Sequence, residues 1–317
     1  PLMNDMVYRS AEAAAAVETQ YKRVLERWPV PKTELHVPTH YGSTFVVACG
    51  PESAPPVVLL HGSLANSAAW VPDVALWSTK FRLFAIDMIG EAGFSARVRP
   101  DLAGDAHALW LDDVLEGLGL GLGSGRARVA IVGTSLGGWL ALDYANRRPA
   151  AVRALALICP AGIGRQKNFL LKVLPLLLLG AWGKRRVWEL VFGPAPKVLP
   201  PEMQPLAELM EIVGRAVKPR VASIPQLTDA QLSELGMPIL TIIGGRDVLL
   251  DSRHTRERLQ RSAPQAEICF IEDGYHFLPD QAPRVMDFLE RSAIFAPASR
   301  ATGKEIKAEQ SSVASWR

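Results

Sequence analysis

Three cysteines in 317 residues, Cys49, Cys159 and Cys269, are too few and too far apart for a disulfide framework or a metal site. Each sits among apolar residues, as reduced core thiols do, and the expected location is the cytoplasm. Charge of one sign is scarce too. The 35 Lys and Arg against 32 Asp and Glu leave a net charge of +3, too mild to predict a nucleic-acid partner. The basic cluster Lys184-Arg185-Arg186 is short and borders an apolar stretch, so it reads as a solvated surface patch. No apolar run is long enough to span a bilayer: Leu170 to Leu179, the most apolar segment, covers about ten residues and contains Pro175. Pro1 to Asp5 has neither the basic nor the apolar stretch that opens a secretory signal. Because the chain does not begin with Met, removal of a leader before Pro1 stays open. The glycines between Gly117 and Gly125 contain no Gly-x-Gly-x-x-Gly register. They follow a helix and precede a strand, the reverse of the phosphate-cradling order, and predict a flexible connection.

What the chain has is a serine in a telling place. Gly133-Thr134-Ser135-Leu136-Gly137 lies between the apolar run Val129 to Val132 and a helix-like stretch from Trp139 to Arg147. On such a strand-to-helix corner a serine projects its hydroxyl from the top of a sheet, and small flanking residues let the strained turn close. Ser135 is therefore the candidate nucleophile. A serine hydroxyl needs a base within hydrogen-bond reach and a third group that orients the base.

In a doubly wound sheet of this kind the order along the chain is serine, acid, histidine. Met237 to Ile243 reads as a buried parallel strand ending in the turn Gly244-Gly245-Arg246-Asp247, which makes Asp247 the candidate acid. Asp251 is the alternative, should Asp247 instead cap the helix that begins near Ser252. Glu267 to Ile271 reads as the next strand, and the loop behind it puts His276 at a strand's carboxyl end, where ligands gather in open α/β sheets. Of the other histidines, His36 and His40 precede the core, His254 belongs to a charged helix, and His107 sits in the helical segment Asp101 to Gly117. Asp112 and Asp113 in that segment read as a solvated helix face. His61 follows the inner strand Val57 to Leu60 and is expected to buttress its turn. Acyl transfer builds a negative oxygen that needs two aimed N–H donors. The candidates are the amide of Leu136, after the nucleophile, and the amide of Ser63 in the turn, with Leu64 the one-residue alternative.

These segments resemble the α/β-hydrolase family: the His61-Gly62 turn, Asp87 to Ser95, Gly-x-Ser-x-Gly at 133–137, Gly-x-x-Asp at 244–247 and Gly-x-His at 274–276. The resemblance covers about residues 33 to 295. Leu25 to Val30 and Leu60 to Trp70 are similar to bacterial carboxylesterase-type members with a helical N-terminal lead. The loop from Asp87 departs from the family's spacing by one inserted residue, Glu91, from which no catalytic role is expected. The resemblance implies an α/β-hydrolase fold, a mostly parallel eight-stranded sheet flanked by helices, with a helical cap inserted after strand 6.

A core of this kind, in a chain with 49% hydrophobic residues, predicts one large domain with an insertion. The expected divisions are a helical lead over 1–32, the core over 33–163 and 234–296, the cap over 164–233 and a disordered tail over 297–317. The roughly eighty residues between the strands Val152 to Cys159 and Met237 to Ile243 exceed what a crossover needs, and they carry helical stretches at Phe169 to Trp182 and Val187 to Phe192. Such an insertion lies above Ser135, where it packs on the core, lines an apolar tunnel or meets a lipid interface.

The expected activity is hydrolysis of a carboxylic ester with an apolar acyl or alcohol part, with neither metal nor organic cofactor. A small-molecule ester is the expected partner. A lactonase, thioesterase, carbon–carbon bond hydrolase or acyltransferase would use the same three residues. A ligand-binding protein that kept the fold is the alternative from another class. Oligomeric state is not legible.

Overall fold

The computed structural model describes residues 7–121, 128–194, 199–220 and 222–294. The expected tail over 297–317, the first six residues and residues 122–125 of the Gly117 to Gly125 connection lie outside them. Eight strands form one sheet in the order β1-β2-β4-β3-β5-β6-β7-β8. β1 (Lys32–Thr39) and β2 (Gly42–Cys49) pair antiparallel, and β2 pairs antiparallel with β4 (Arg82–Ile86). From β4 through β3 (Pro56–Leu60), β5 (Val129–Thr134), β6 (Val152–Ile158) and β7 (Ile239–Gly244) to β8 (Glu267–Ile271) every pairing is parallel. The inner strands are unbroken aliphatic runs because helices cover both their faces.

Alternation along the strands divides the interior in two. Val57, Leu59, Val132 and Ile242 face α1 (Ala11–Glu26), α2 (Val71–Trp77) and α10 (Ala282–Ile294), which contribute Tyr21, Trp77 and Phe288. Val58, Leu60, Ile131 and Leu155 face α3 (Ala106–Gly117), α4 (Leu136–Arg147) and α9 (Ser252–Ser262), which contribute Trp110, Trp139 and Leu259. Ser10 caps α1 by accepting the Ala13 N–H, and α1 ends at Glu26, ahead of Pro29. α3 begins at Ala106, five residues inside the helical segment expected from Asp101. α4 begins directly after Ser135, three residues before the expected Trp139. The β5 pattern stops at Thr134 and the first turn of α4 is glycine-rich, so apolar periodicity marks that start late. Cys49 and Cys159 are buried, whereas Cys269 is partly exposed because β8 is an edge strand.

Between β6 and β7 lie α5 (Phe169–Leu177), α6 (Gly180–Phe192), α7 (Gln204–Ala216) and α8 (Asp229–Ser233). The stretch expected as one helix from Phe169 to Trp182 is divided at Leu178–Leu179. Pro175 sits inside α5, and the chain reverses at Gly180, whose φ of +63° favours glycine. α7 packs along α1, where Gln20 donates to the Pro205 carbonyl at 3.0 Å and to Glu208 at the same distance. The N-terminal helix and the insertion thus share a contact surface. Among the described residues, no helix is long and apolar enough to cross a membrane.

His107 is buried on α3 against Trp139, with ring centroids 5.7 Å apart. Burial, helped by the charge of Arg220, pulls its pKa from 6.5 to about 4 against the opposing pull of Asp101. Between those values the unfolded chain binds a proton that the folded chain does not, so stability falls as pH drops from about 6.5 to about 4. The difference corresponds to about 3 kcal/mol. Urea midpoints measured from pH 7 to pH 4.5 are expected to fall less steeply for His107→Gln than for the wild type. Parallel profiles would contradict this assignment.

Candidate active site

The sheet's carboxyl edge gathers the site. Ser135 has φ +52° and ψ −111°, a strained corner for a residue with a Cβ. Its N–H donates to the Ile158 carbonyl at 3.0 Å, and its own carbonyl accepts from Trp139 and Ala161 at 3.0 Å each, so both sides of the corner are pinned. Gly137 is required by close approach: a Cβ there would lie 2.1 Å from the Leu60 carbonyl oxygen, so α4 could not start this near β3 with any other residue.

Two loops deliver the partners of Ser135. At the ends of β7 and β8, the Gly245 N–H donates to Ile271 and the Arg246 N–H to Gly274, each at 2.8 Å, which sews the Asp247 turn to the His276 loop. His276 Nε2 then lies 3.0 Å from Ser135 Oγ, and Nδ1 lies 2.7 Å from Asp247 Oδ2. The second carboxylate oxygen of Asp247, Oδ1, accepts the Leu249 and Leu250 amides at 2.8 and 3.0 Å. Its side chain is 1% exposed, against 12% for His276. A charge-assisted bond to a buried carboxylate fixes the imidazole with its proton on Nδ1, leaving Nε2 as the acceptor facing the serine. Asp251, the alternative acid, is turned away: it caps α9, its Oδ1 accepting the His254 N–H at 3.1 Å.

The turn after β3 comes up beside the nucleophile, and a Cβ on Gly62 would sit 3.4 Å from the Ser135 Cβ. His61 is buried beneath it. Its Nε2 accepts the Met88 N–H at 2.9 Å and its Nδ1 donates to the Gly62 carbonyl at 2.7 Å, which matches the buttress expected. Burial holds its pKa below the ordinary histidine range, and Nε2, as the acceptor of the Met88 N–H, carries no proton. The N–H of Leu64 donates to Glu91 Oε2 at 2.9 Å. That leaves Ser63 as the candidate donor of this turn. Leu136 opens α4, where first-turn amides have no partner within the helix.

Glu91, from which no catalytic role is expected, lies against this turn. It is 2% exposed, and its other oxygen accepts from Arg220 Nε at 2.7 Å. Its one-residue insertion was visible in the sequence, but nothing there tells which partners a loop carboxylate meets across 27 and 129 positions. Cys159 is the other unforeseen neighbour. It follows β6 with φ +42°, and its sulfur, a carboxylate oxygen of Asp247 and a ring nitrogen of His276 all lie within 4.8 Å of one another. Burial, aided by the Asp247 charge, pushes its thiol pKa well up.

The inserted helices reach this edge through the end of α6. Phe192 and Phe277 rings lie 5.9 Å apart, the Phe277 N–H donates to the Val191 carbonyl at 3.3 Å, and Gly193 sits against the Tyr275 ring. At the opposite end, the α5–α6 hairpin presents Leu178, Leu179 and Trp182, which are 81%, 57% and 59% exposed.

Residues 57–287 match the model of the alpha/beta hydrolase family. Carboxylesterase YbfK of Bacillus subtilis is 27% identical over 304 residues, covering 91% of this chain and 98% of that one. An uncharacterised carboxylesterase, nap, of the same organism is 29% identical over 276 residues, or 84% and 90% of the two chains. The crystal structure of the Bacillus subtilis naproxen esterase superposes with a TM-score of 0.73 at 27% identity, over 89% of this chain and 99% of that one.

Proposed function

Because the chain belongs to the alpha/beta hydrolase family, we propose that it is a carboxylesterase-type serine hydrolase, cleaving carboxylic esters with an apolar acyl or alcohol part through an acyl-enzyme on Ser135. The observation that carries this reading is the unbroken hydrogen-bond chain from Ser135 Oγ through His276 to Asp247. The carboxylesterase names of its relatives support the same reaction class.

Ser135 Oγ attacks the ester carbonyl carbon while its proton passes to His276 Nε2. The carbonyl oxygen becomes an oxyanion held by the amides of Ser63 and Leu136, and Asp247 stabilises the imidazolium. Collapse breaks the bond to the alkoxy oxygen, which takes the proton from His276 and departs as the alcohol. Water, giving a proton to His276, attacks the acyl carbon. The second tetrahedral species then collapses with rupture of its bond to Ser135 Oγ, which takes that proton from His276 as the acid leaves. The α5 to α8 segment acts as the cap. Its contact with the His276 loop through Phe192 and Phe277 favours an apolar group on the substrate.

The exposed hairpin tip at Leu178, Leu179 and Trp182 supports a second reading, in which the ester is taken from a lipid interface. A panel of p-nitrophenyl esters of two to twelve acyl carbons, with a lactone and a β-diketone alongside, tests both. The first reading expects ester turnover above the other two substrates and no jump in rate as the longer esters pass their solubility limit. A sharp jump supports the interfacial reading, and turnover confined to the lactone or the diketone overturns the esterase assignment.

A further inference from the structure

Two consecutive amides in the turn after β3 have different tasks. For Ser63 to serve an oxyanion, the turn must be held while the Leu64 amide is drawn off elsewhere. Leu64 has φ +56°, a left-handed backbone that a branched residue adopts only when its surroundings impose it. The surroundings here are a buried ion pair. Glu91 Oε2 accepts the Leu64 N–H at 2.9 Å, and Glu91 Oε1 accepts from Arg220 Nε at 2.7 Å. The Arg220 side chain is 9% exposed and that of Glu91 1%. Arg220 also donates to the Ile89 carbonyl at 3.3 Å. A buried carboxylate without its cation is costly, and a bare negative charge behind the oxyanion turn would oppose the charge that forms in front of it. Arg220 removes both costs.

Building on the proposed ester hydrolysis, we propose that Glu91 and Arg220 are positioning residues that set the oxyanion turn and couple it to the inserted segment. Arg220 lies between α7 and α8, so a shift of that segment is transmitted through one ion pair to the Leu64 peptide and from there to the Ser63 amide. Neither side chain touches substrate in this account. Arg99 supplies the contrast, because it joins the same loop to the same segment, donating to the Gly90 and Lys218 carbonyls at 2.8 and 2.7 Å, without contacting the Leu64 amide.

The test compares wild type, Glu91→Gln, Glu91→Ala, Arg220→Met and Arg99→Met on p-nitrophenyl butyrate. Each is also titrated with an aryl trifluoromethyl ketone, which forms a tetrahedral adduct on a reactive serine. Glu91→Ala and Arg220→Met are expected to lower kcat by about 10- to 100-fold with KM within about twofold, and to weaken the ketone by the same factor as kcat/KM. Glu91→Gln keeps an acceptor for the Leu64 amide and falls between them and the wild type. Arg99→Met is expected to lower the melting temperature while leaving kcat and ketone affinity within about twofold. Glu91→Gln and Arg220→Met retain most of the side-chain volume and decide the matter where the alanine variant does not fold. If they lose stability but keep kcat and ketone affinity, the inference is overturned. Absence of Ser135-dependent turnover in the wild type overturns the underlying catalytic reading instead, and this inference with it.

Discussion

Ser135→Ala is expected to lower kcat on the best p-nitrophenyl ester by about 10⁶-fold, with the fold and its melting temperature kept. In the proposed mechanism this hydroxyl forms the acyl-enzyme. It contributes little to the corner itself, which rests on backbone bonds of Ser135 to Ile158, Trp139 and Ala161. His276→Ala is expected to cost about as much, because without a base at 3.0 Å the hydroxyl stays protonated during attack. The two losses belong to one step, so the double variant is expected to be no slower than either single one. Losses that multiplied in the double variant would mean that the two residues act in separate steps.

Asp247→Asn carries the second large effect, and its direction follows from the two oxygens of the carboxylate. Oδ1 accepts two amides, from Leu249 and Leu250, while Oδ2 faces His276 Nδ1 at 2.7 Å. An asparagine has a single oxygen, and two N–H donors claim it on the Oδ1 side. Its NH2 then faces Nδ1, which must accept, so the ring's proton moves to Nε2, the atom pointed at Ser135. Such an imidazole cannot take the serine's proton. The expected loss in kcat is about 10⁴-fold with KM little changed. Asp251→Asn is the contrast: it alters the cap of α9, costs at most about 1 kcal/mol in stability and leaves kcat in place. The opposite ranking of these two variants would reassign the acid.

The parts of this molecule legible in the sequence are those where local chemistry and global fold agree. Aliphatic runs such as Val57 to Leu60 and Ile239 to Ile243 are strands because both faces are buried, and the glycines around Ser135 record a turn that a Cβ would block. Asp247 and His276 stood out as candidates because each follows a strand by a few residues, buried β7 for one and edge strand β8 for the other. The start of α4 was blurred by Gly137 and Gly138, whose lack of side chain hides the helical period while allowing contact with β3 and Pro160. The break between α5 and α6 was set by Gly180 rather than by the more conspicuous Pro175. The service of Glu91 to Leu64 was hidden for a different reason. It depends on Arg220, which arrives from a segment whose path no local pattern prescribes.

The central claim, that Ser135 becomes acylated, is tested most directly by mass spectrometry of the protein quenched in acid during turnover of p-nitrophenyl butyrate. The account predicts one added butyryl group, mapped to Ser135 in the peptide that contains it and absent from Ser135→Ala. A butyryl group on another residue, or the same mass increase in Ser135→Ala, would contradict it.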